Sequence, residues 1–400
     1  MHIILFDHPE QRLSLLPFTF TRPVSDIRIG ILTIREKWPY YISAPTFTLT
    51  EDYLQEKFPL HLEEDNLLIN GALCPDDQIA AALLNLPSGK VLKKGDIILG
   101  VKADRYLAND FCQSKEFNFQ NTQEYPGEVN VIGEMYDIFR QNAREIISDF
   151  SKITRNRQSA VVEDKHTILY AKEYIFIEEG ADIKAAILNA ESGPIYIGKN
   201  AVVQEGAMVR GSFALGESSC ITMGCRIRGD TTIGPFCKIG GEISNSVVFG
   251  YTNKAHEGYL GNAVIGEWCN LGADTNASNL KNNYASVKLW SYKYNKLVDT
   301  GLQFCGLMMA DHSKCGINTM FNTGTVVGVS SNIFGEGFPP TYIPSFSWGG
   351  ASGFSTFKLE KAVEVAEKVL QRRNIAFEEK EFKILKAIFD KTINDRKWEK

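Results

Sequence analysis

Residues 195–239 read IYIGKNAVVQEGAMVRGSFALGESSCITMGCRIRGDTTIGPFCKI, and their spacing decides the fold. Ile197, Val203, Val209, Leu215, Ile221, Ile227, Ile233 and Ile239 follow one another at six-residue intervals. Two residues before each stands a second set. Ala201, Ala207, Ser219, Cys225, Thr231 and Cys237 are small, whereas Ile195 and Phe213 are larger. A helix would repeat its apolar residue every three or four positions and a strand every second one. A strict period of six suits neither. It suits a parallel β-helix in which each hexad forms one flat face and sends one aliphatic side chain inward. Gly198, Gly216 and Gly234 repeat every third hexad, as corners of a triangular coil would. Stacked coils then build a continuous core from short segments.

Outward from this stretch the period breaks at Asn245, and residues 242–258 are expected to bulge out as a loop or to leave the repeat. It resumes with Tyr259, Ile265 and Leu271. A polar, aromatic insertion follows over residues 276–300, and the period returns at Met309, Cys315, Phe321, Val327 and Ile333. Residues 160–194 carry apolar runs without hexad register, fitting irregular first coils or a capping strand pair. Residues 359–373 and 382–389 have helical periodicity and charged faces.

The first third is different. Residues 2–6 and 66–71 read as buried strands and 95–101 as a further strand, with helices expected over 31–38, 76–86 (N-cap Asp76 or Asp77) and 137–150. Strands alternating with helices indicate an α/β domain. The organisation expected is therefore α/β plus all-β. A Rossmann-like α/β domain over 1–155 precedes a left-handed parallel β-helix over 156–355 and terminal helices over 356–400.

The 400 residues carry 43 basic and 48 acidic side chains, a net charge of −5, with 44% hydrophobic residues. That balance excludes a disordered chain and gives no reason to expect a nucleic acid partner. No apolar run reaches the roughly 18 residues of a membrane span, and the N-terminus lacks a basic leader, so a cytoplasmic protein with no membrane partner is expected. Cys220, Cys225, Cys237, Cys269 and Cys315 fall within hexad runs, where they fit as small core residues, and no C-x-x-C pair occurs. Reduced thiols are expected.

Chemistry is expected where the repeat is broken. The break holds Asn253-Lys254-Ala255-His256-Glu257-Gly258-Tyr259-Leu260-Gly261, with one of only six His in the chain. Imidazole is suited to proton transfer near neutral pH. Taken alone, His256 is as well explained as a solvated loop residue, Asn270 as a corner Asn and Tyr259 as an aromatic on a coil face. His312, beside Asp311, is a second candidate, for which a solvent-facing turn His is an equal explanation.

At these residues the chain resembles the hexapeptide acyltransferases. Among them it is similar to the bifunctional family that joins glucosamine-1-phosphate N-acetyltransferase to N-acetylglucosamine-1-phosphate uridyltransferase. Lys254, His256, Tyr259-Leu260-Gly261, Ile265-Gly266 and Asn270-Leu271-Gly272-Ala273-Asp274-Thr275 carry the likeness, which covers about residues 230–330. Asp274 departs from the Gly that the family places there. The resemblance implies His256 as general base, with Asn279 orienting the reacting groups. It further implies Tyr259, Asn270, Lys254 and Lys238 as substrate contacts and Ala273 as a contact to acetyl-CoA, while His312, read from its own turn, is expected to face the CoA groove of a neighbouring subunit. By the same likeness the acceptor is a sugar phosphate, the cosubstrate an acyl-CoA and the assembly a homotrimer.

The N-terminus, with Arg12-Leu13 and residues 17–23 (PFTFTRP), resembles a sugar-phosphate nucleotidyltransferase, which implies UTP and Mg²⁺. It departs from that family sharply. His8, Pro9 and Glu10 stand where a phosphate loop needs Gly, Val24 replaces a Lys, and Ala72 replaces a metal-binding Asp. Arg12, Arg22 and Arg28 remain as candidate phosphate ligands, and Asp7 and Asp26 as weak metal candidates. Two alternatives to the bifunctional enzyme stay open. One is a non-catalytic sugar-nucleotide sensor or subunit, and the other a nucleotidyltransferase with an inactive β-helix.

Overall fold

The structure is a computed structural model that describes residues 1–114 and 121–399. It divides into two compact units. One comprises Met1–Leu15, Thr21–Ile27 and Leu32–Glu134, and the other comprises Leu16–Phe20, Arg28–Ile31 and Met135–Lys400.

The first unit is a six-stranded sheet in the order Thr46–Leu49, His2–Phe6, Asp65–Asn70, Ile97–Asp104, Val91–Lys94, Thr122–Glu124. The three strands beginning at His2, Thr46 and Asp65 run parallel, and Ile97–Asp104 runs against them. Ile3, Ile4, Leu5 and Phe6 are all buried, as expected of a parallel strand covered on both faces. The helix Asp77–Leu84 begins where Asp76 accepts hydrogen bonds from the backbone N–H groups of Gln78 and Ile79 at 2.9 and 2.8 Å. The helix expected over 31–38 is shorter, Ile34–Lys37, opened by a Thr33–Glu36 capping box. Pro39 follows within a 3₁₀ turn, where its missing N–H is harmless.

In the second unit, two helices, Asp137–Arg140 and Asn142–Ile153, precede the left-handed parallel β-helix. Its three faces are sheets of eight, nine and ten strands. The chain visits a first face at Ile168–Tyr170, a second at Ile175–Ile177 and a third at Asp182–Ile183 before returning to the first at Ile187–Asn189. Residues 168–189 thus already lie in coils, although their hexads are unreadable. All eight residues of the Ile197-to-Ile239 series are buried in one core cluster with the later Met309, Cys315, Phe321, Val327 and Ile333.

The segment 242–258 does not bulge out. Its strands Glu242–Ser244, Val247–Val248 and Asn253–Lys254 pair in register with the coils before and after. The prism survives because the corners shorten. The inward series runs Ile239, Ile243, Val248, Lys254, Leu260, Ile265, Leu271, with Asn245 in a left-handed turn. Two expectations change with it. Leu260, not Tyr259, points inward, and the inward place between Ile239 and Leu271 on the third face belongs to a lysine, Lys254. Cys220 also differs from expectation. It pairs with Val202 and Lys238 at an outward position and is half-buried, whereas Cys225, Cys237, Cys269 and Cys315 are core residues. Burial pushes the Cys225 and Cys237 thiols up to about 12, so they stay protonated and inert.

The insertion forms an antiparallel hairpin, Lys288–Ser291 with Lys296–Asp299. At the far end, Ser347–Gly350 turns back on Gly353–Thr356, so the last edge of the third face is paired rather than open. The helices Leu359–Gln371 and Glu379–Lys391 follow, and Phe389 packs edge-on against Phe346 at 4.9 Å. Among the described residues no helix is long and apolar enough to cross a membrane.

Candidate functional site

His256 lies on the corner joining the third face to the first, between Asn253–Lys254 and Tyr259–Gly261. Its side chain is exposed, and no described residue is hydrogen-bonded to its ring. The corner itself is held tightly. Gly258 has φ 118°, and a Cβ there would strike the Thr275 carbonyl, so the turn after His256 requires glycine. The Glu257 carbonyl accepts from Asp274 N at 3.1 Å, and the Glu257 carboxylate pairs with Arg226 at 3.1 Å. Ala273 occupies the same corner one coil on, and its carbonyl accepts from Asn318 N at 2.8 Å.

Lys254 fixes this corner from inside. It is 2% exposed, and its ammonium donates to the carbonyls of Gly240 (3.1 Å), His256 (2.9 Å) and Glu257 (3.4 Å). Burial lowers its pKa. The sequence pointed to Lys254 as a phosphate contact. The structure places its charge within the prism, on backbone oxygens.

Tyr259 and Asn279 meet on the first face. Asn279 Nδ2 donates to the Tyr259 hydroxyl at 3.0 Å and to Asn262 Oδ1 at 2.7 Å. Burial raises the Tyr259 pKa, so the phenol keeps its proton at neutral pH and can donate it outward. Both described side-chain bonds of Asn279 use its amide nitrogen, which leaves the amide oxygen open to accept from an amine.

Asn270 and Lys238 are on the neighbouring third face. Asn253 Nδ2 donates to Asn270 Oδ1 at 2.8 Å, and Lys238 stands in register beside Asn253. His312 sits on a different corner, between the second and third faces. It is the last ring of a stack Phe236, Tyr251, Trp268, His312, with centroids 5.0, 4.1 and 6.4 Å apart and planes within 12°. All four rings sit on residues in left-handed turns.

The N-terminal candidates are arranged otherwise. The Asp7 carboxylate accepts from Arg12 at 2.7 Å, Thr50 at 2.5 Å and Val24 N at 2.8 Å. Arg12 also donates to Tyr53 OH at 3.1 Å and to the Arg22 carbonyl at 3.2 Å. Both side chains are buried. Burial pushes the Asp7 carboxyl up, against the opposing pull of Arg12, Thr50 and Val24. Asp26 holds Arg35 in a two-point pair at 2.6 and 2.9 Å. In the second unit, Arg28 donates to the carbonyls of Phe249 (3.1 Å) and Ile31 (2.7 Å). Among the described residues no three His, Cys, Asp or Glu converge to hold a metal. Asp7 and Asp26, each engaged with an arginine, do not fit a Mg²⁺ ligand set.

The structure also brings together residues that the sequence had not singled out. Tyr251, Trp268, Lys314, Arg372 and Arg373 line a cavity of about 460 Å³ with Lys238, Asn253 and Asn270. The one available signal was a bulky residue immediately before a small buried one, as in Phe236-Cys237, Tyr251-Thr252, Trp268-Cys269 and His312-Ser313.

A family model described as sugar nucleotidyl transferase matches residues 3–158. The bifunctional protein GlmU of Rippkaea orientalis is 34% identical over 104 residues, covering 22% of this chain and 23% of that protein. GlmU of Clostridium kluyveri is 28% identical over 155 residues, 34% of each. The chain therefore spans between a fifth and about a third of the length of such curated relatives. Among solved structures, the polySia-specific acetyltransferase NeuO matches at 15% identity and TM-score 0.28, over 54% of this chain and 97% of its own. An Arabidopsis UDP-N-acetylglucosamine acyltransferase matches at 15% identity and TM-score 0.24, over 54% and 78%. A sugar nucleotidyl transferase model thus matches residues 3–158, ahead of a left-handed β-helix, and the chain is similar over part of its length to the bifunctional GlmU proteins.

Proposed function

We propose that the β-helix transfers an acetyl group from acetyl-CoA to the amine of an amino-sugar phosphate, glucosamine-1-phosphate by resemblance, with His256 as general base. The observation that carries this reading is the open imidazole of His256 on a corner whose backbone is fixed from inside by Lys254. Acyl transfer needs little more than a positioned base, a held amine and a donor to the oxyanion. The amine nitrogen attacks the thioester carbonyl carbon, and the imidazole takes the proton that nitrogen sheds. The carbon–sulfur bond then breaks, and the proton passes to the leaving thiolate. Asn279 Oδ1 orients the amine, the Tyr259 hydroxyl donates to a sugar or phosphate oxygen, and the Ala273 backbone meets the thioester arm. Asn270 and Lys238 contact substrate from the adjoining face. Lys254 acts through the backbone of His256 and not on the phosphate.

The chain assembles as a homotrimer in this reading. The same corner carries Met223 (69% exposed) and Ile317 (71%), large apolar side chains that a neighbouring copy would cover. Uridylyl transfer at the N-terminal domain is the second reading, favoured by the family match over residues 3–158. Against it stand the internal pairing of Asp7 with Arg12 and of Asp26 with Arg35.

Two assays on the purified chain separate these readings. With acetyl-CoA, thiol release is expected only when the acceptor bears a free amine. Equal release with N-acetylglucosamine-1-phosphate would overturn N-acetylation. With UTP, Mg²⁺ and N-acetylglucosamine-1-phosphate, release of pyrophosphate above background would establish the second activity.

A further inference from the structure

Burial lowers the pKa of two lysines on the third face, and the fold uses their ammonium groups differently. Lys254 points inward and donates to the carbonyls of Gly240, His256 and Glu257. An ammonium has three N–H donors, so this one is fully engaged. Its place is kept clear by a glycine, since a Cβ at Gly241 would stand 3.0 Å from the lysine nitrogen. Lys314 points outward, beside Cys315 of the core. Its nitrogen donates to the His312 carbonyl at 2.9 Å. Among the described residues that is its one hydrogen bond, and no carboxylate pairs with it.

Lys314 also lines the cavity beside Trp268. Lys238, Asn253, Asn270 and Lys314 follow one another in register as its floor. Arg372 and Arg373 come from just beyond the helix Leu359–Gln371, and Arg373 is docked by a 3.1 Å hydrogen bond to the Phe236 carbonyl. Among the described residues that line the cavity four are cationic and none is a carboxylate, in a protein whose net charge is −5. A half-enclosed space of one sign concentrates anions.

Together these features describe a reactive amine. Lysine is a nucleophile only in its neutral form, and desolvation enlarges that fraction at neutral pH. The nitrogen of Lys314 uses one of its three donors, so shedding a proton breaks no described hydrogen bond. A space of about 460 Å³ admits a small molecule, and the surrounding charge selects an anionic one. Lys254 shares the downward shift but is 2% exposed and enclosed by carbonyls.

We propose that Lys314 is a site of acylation by small anionic acyl donors of the acyl phosphate class. The neutral nitrogen attacks the carbonyl carbon. The bond from that carbon to the phosphate oxygen breaks, and phosphate leaves with the electron pair. The nitrogen sheds one proton, which the departing phosphate takes. The products are inorganic phosphate and an amide that keeps one N–H for the His312 carbonyl. The cavity thereby loses one of its four positive charges. The step uses neither His256 nor a thioester.

The test is incubation of the full chain with acetyl phosphate at neutral pH, without coenzyme A, followed over time by peptide mass spectrometry. Lys314 should be acetylated about tenfold faster or more than the median exposed lysine, and Lys254 should stay unmodified. Unfolding in urea should erase that preference, because burial and the gathered charges belong to the fold. Arg372→Ala/Arg373→Ala should slow Lys314 several-fold and leave other lysines unchanged. Both arginines are exposed, so the variant should keep its thermal midpoint. With p-nitrophenyl acetate, an uncharged donor, the double variant should match wild type. Acetylation of Lys314 no faster than that of exposed lysines would overturn the proposal. So would the same preference in urea, or an unchanged rate with acetyl phosphate in the double variant.

Discussion

The polar cluster around Asp7 and the corner around His256 are both sites that a family resemblance selects, yet they are built in opposite ways. At Asp7 every prominent charge has a protein partner. Arg12 joins Asp7, Thr50 and Tyr53, and Asp26 joins Arg35. At His256 the order reverses. The lysine is inside, bonded to three carbonyls, and the imidazole is outside. A functional group has to keep some bonding capacity for a ligand. The β-helix corner keeps it, whereas the N-terminal cluster uses it to hold the domain together.

The sharpest way to break this comparison is to remove one group from each side. His256→Ala should lower the turnover of thiol release by roughly 10²- to 10⁴-fold, the usual worth of a positioned general base, with the thermal midpoint unchanged because the side chain is exposed. Asp7→Asn should do the converse. Removing one partner of a buried pair costs about 3 kcal/mol or more, measured by urea denaturation, and acetyl transfer by the folded fraction should not change. If Asp7→Asn left stability intact and abolished pyrophosphate release, the N-terminal cluster would be a working site and the contrast would fail.

The inward lysine gives a smaller effect with a definite sign. Burial lowers the Lys254 pKa in the folded protein below its unfolded value. Between those two values the unfolded chain holds the extra proton, so stability from this residue rises with pH across the window ending near 10.5. Lys254→Met, which suits the inward aliphatic place, should lack that rise. Urea melts at pH 7 and pH 10 should show wild type gaining on the variant at the higher pH. A constant difference would mean that the ammonium is better solvated than its place among the carbonyls implies. Smaller again, Asn279→Ala should raise KM for the amine acceptor a few-fold more than for acetyl-CoA. Equal effects would remove its orienting role.

Much of the fold was legible because the prism has one simple rule. Each face turns one side chain inward, and where that side chain is Ile, Val or Leu the period of six shows. The rule failed at two kinds of place. Corners one or two residues shorter moved the register between Ile239 and Ile265, so 242–258 looked like a bulge and Tyr259 like a core residue. A lysine at an inward position then disguised a coil that was intact, since nothing local shows that Lys254 finds three carbonyls. The break in the repeat pointed to the stretch around His256, and the resemblance alone assigned roles to its residues. The cavity beside Trp268 was legible only at Lys238 and Asn270. Its floor comes from four coils and its arginines from beyond a helix more than fifty residues later, and only the folded chain brings them together.

Chemical rescue tests the central claim most directly. His256→Ala is assayed for acetyl-CoA thiol release with glucosamine-1-phosphate, with and without added free imidazole. A general base at His256 implies a rate far below wild type that rises in proportion to imidazole, because the corner still holds amine and thioester and lacks only the base. A variant that releases thiol at the wild-type rate without imidazole would contradict it.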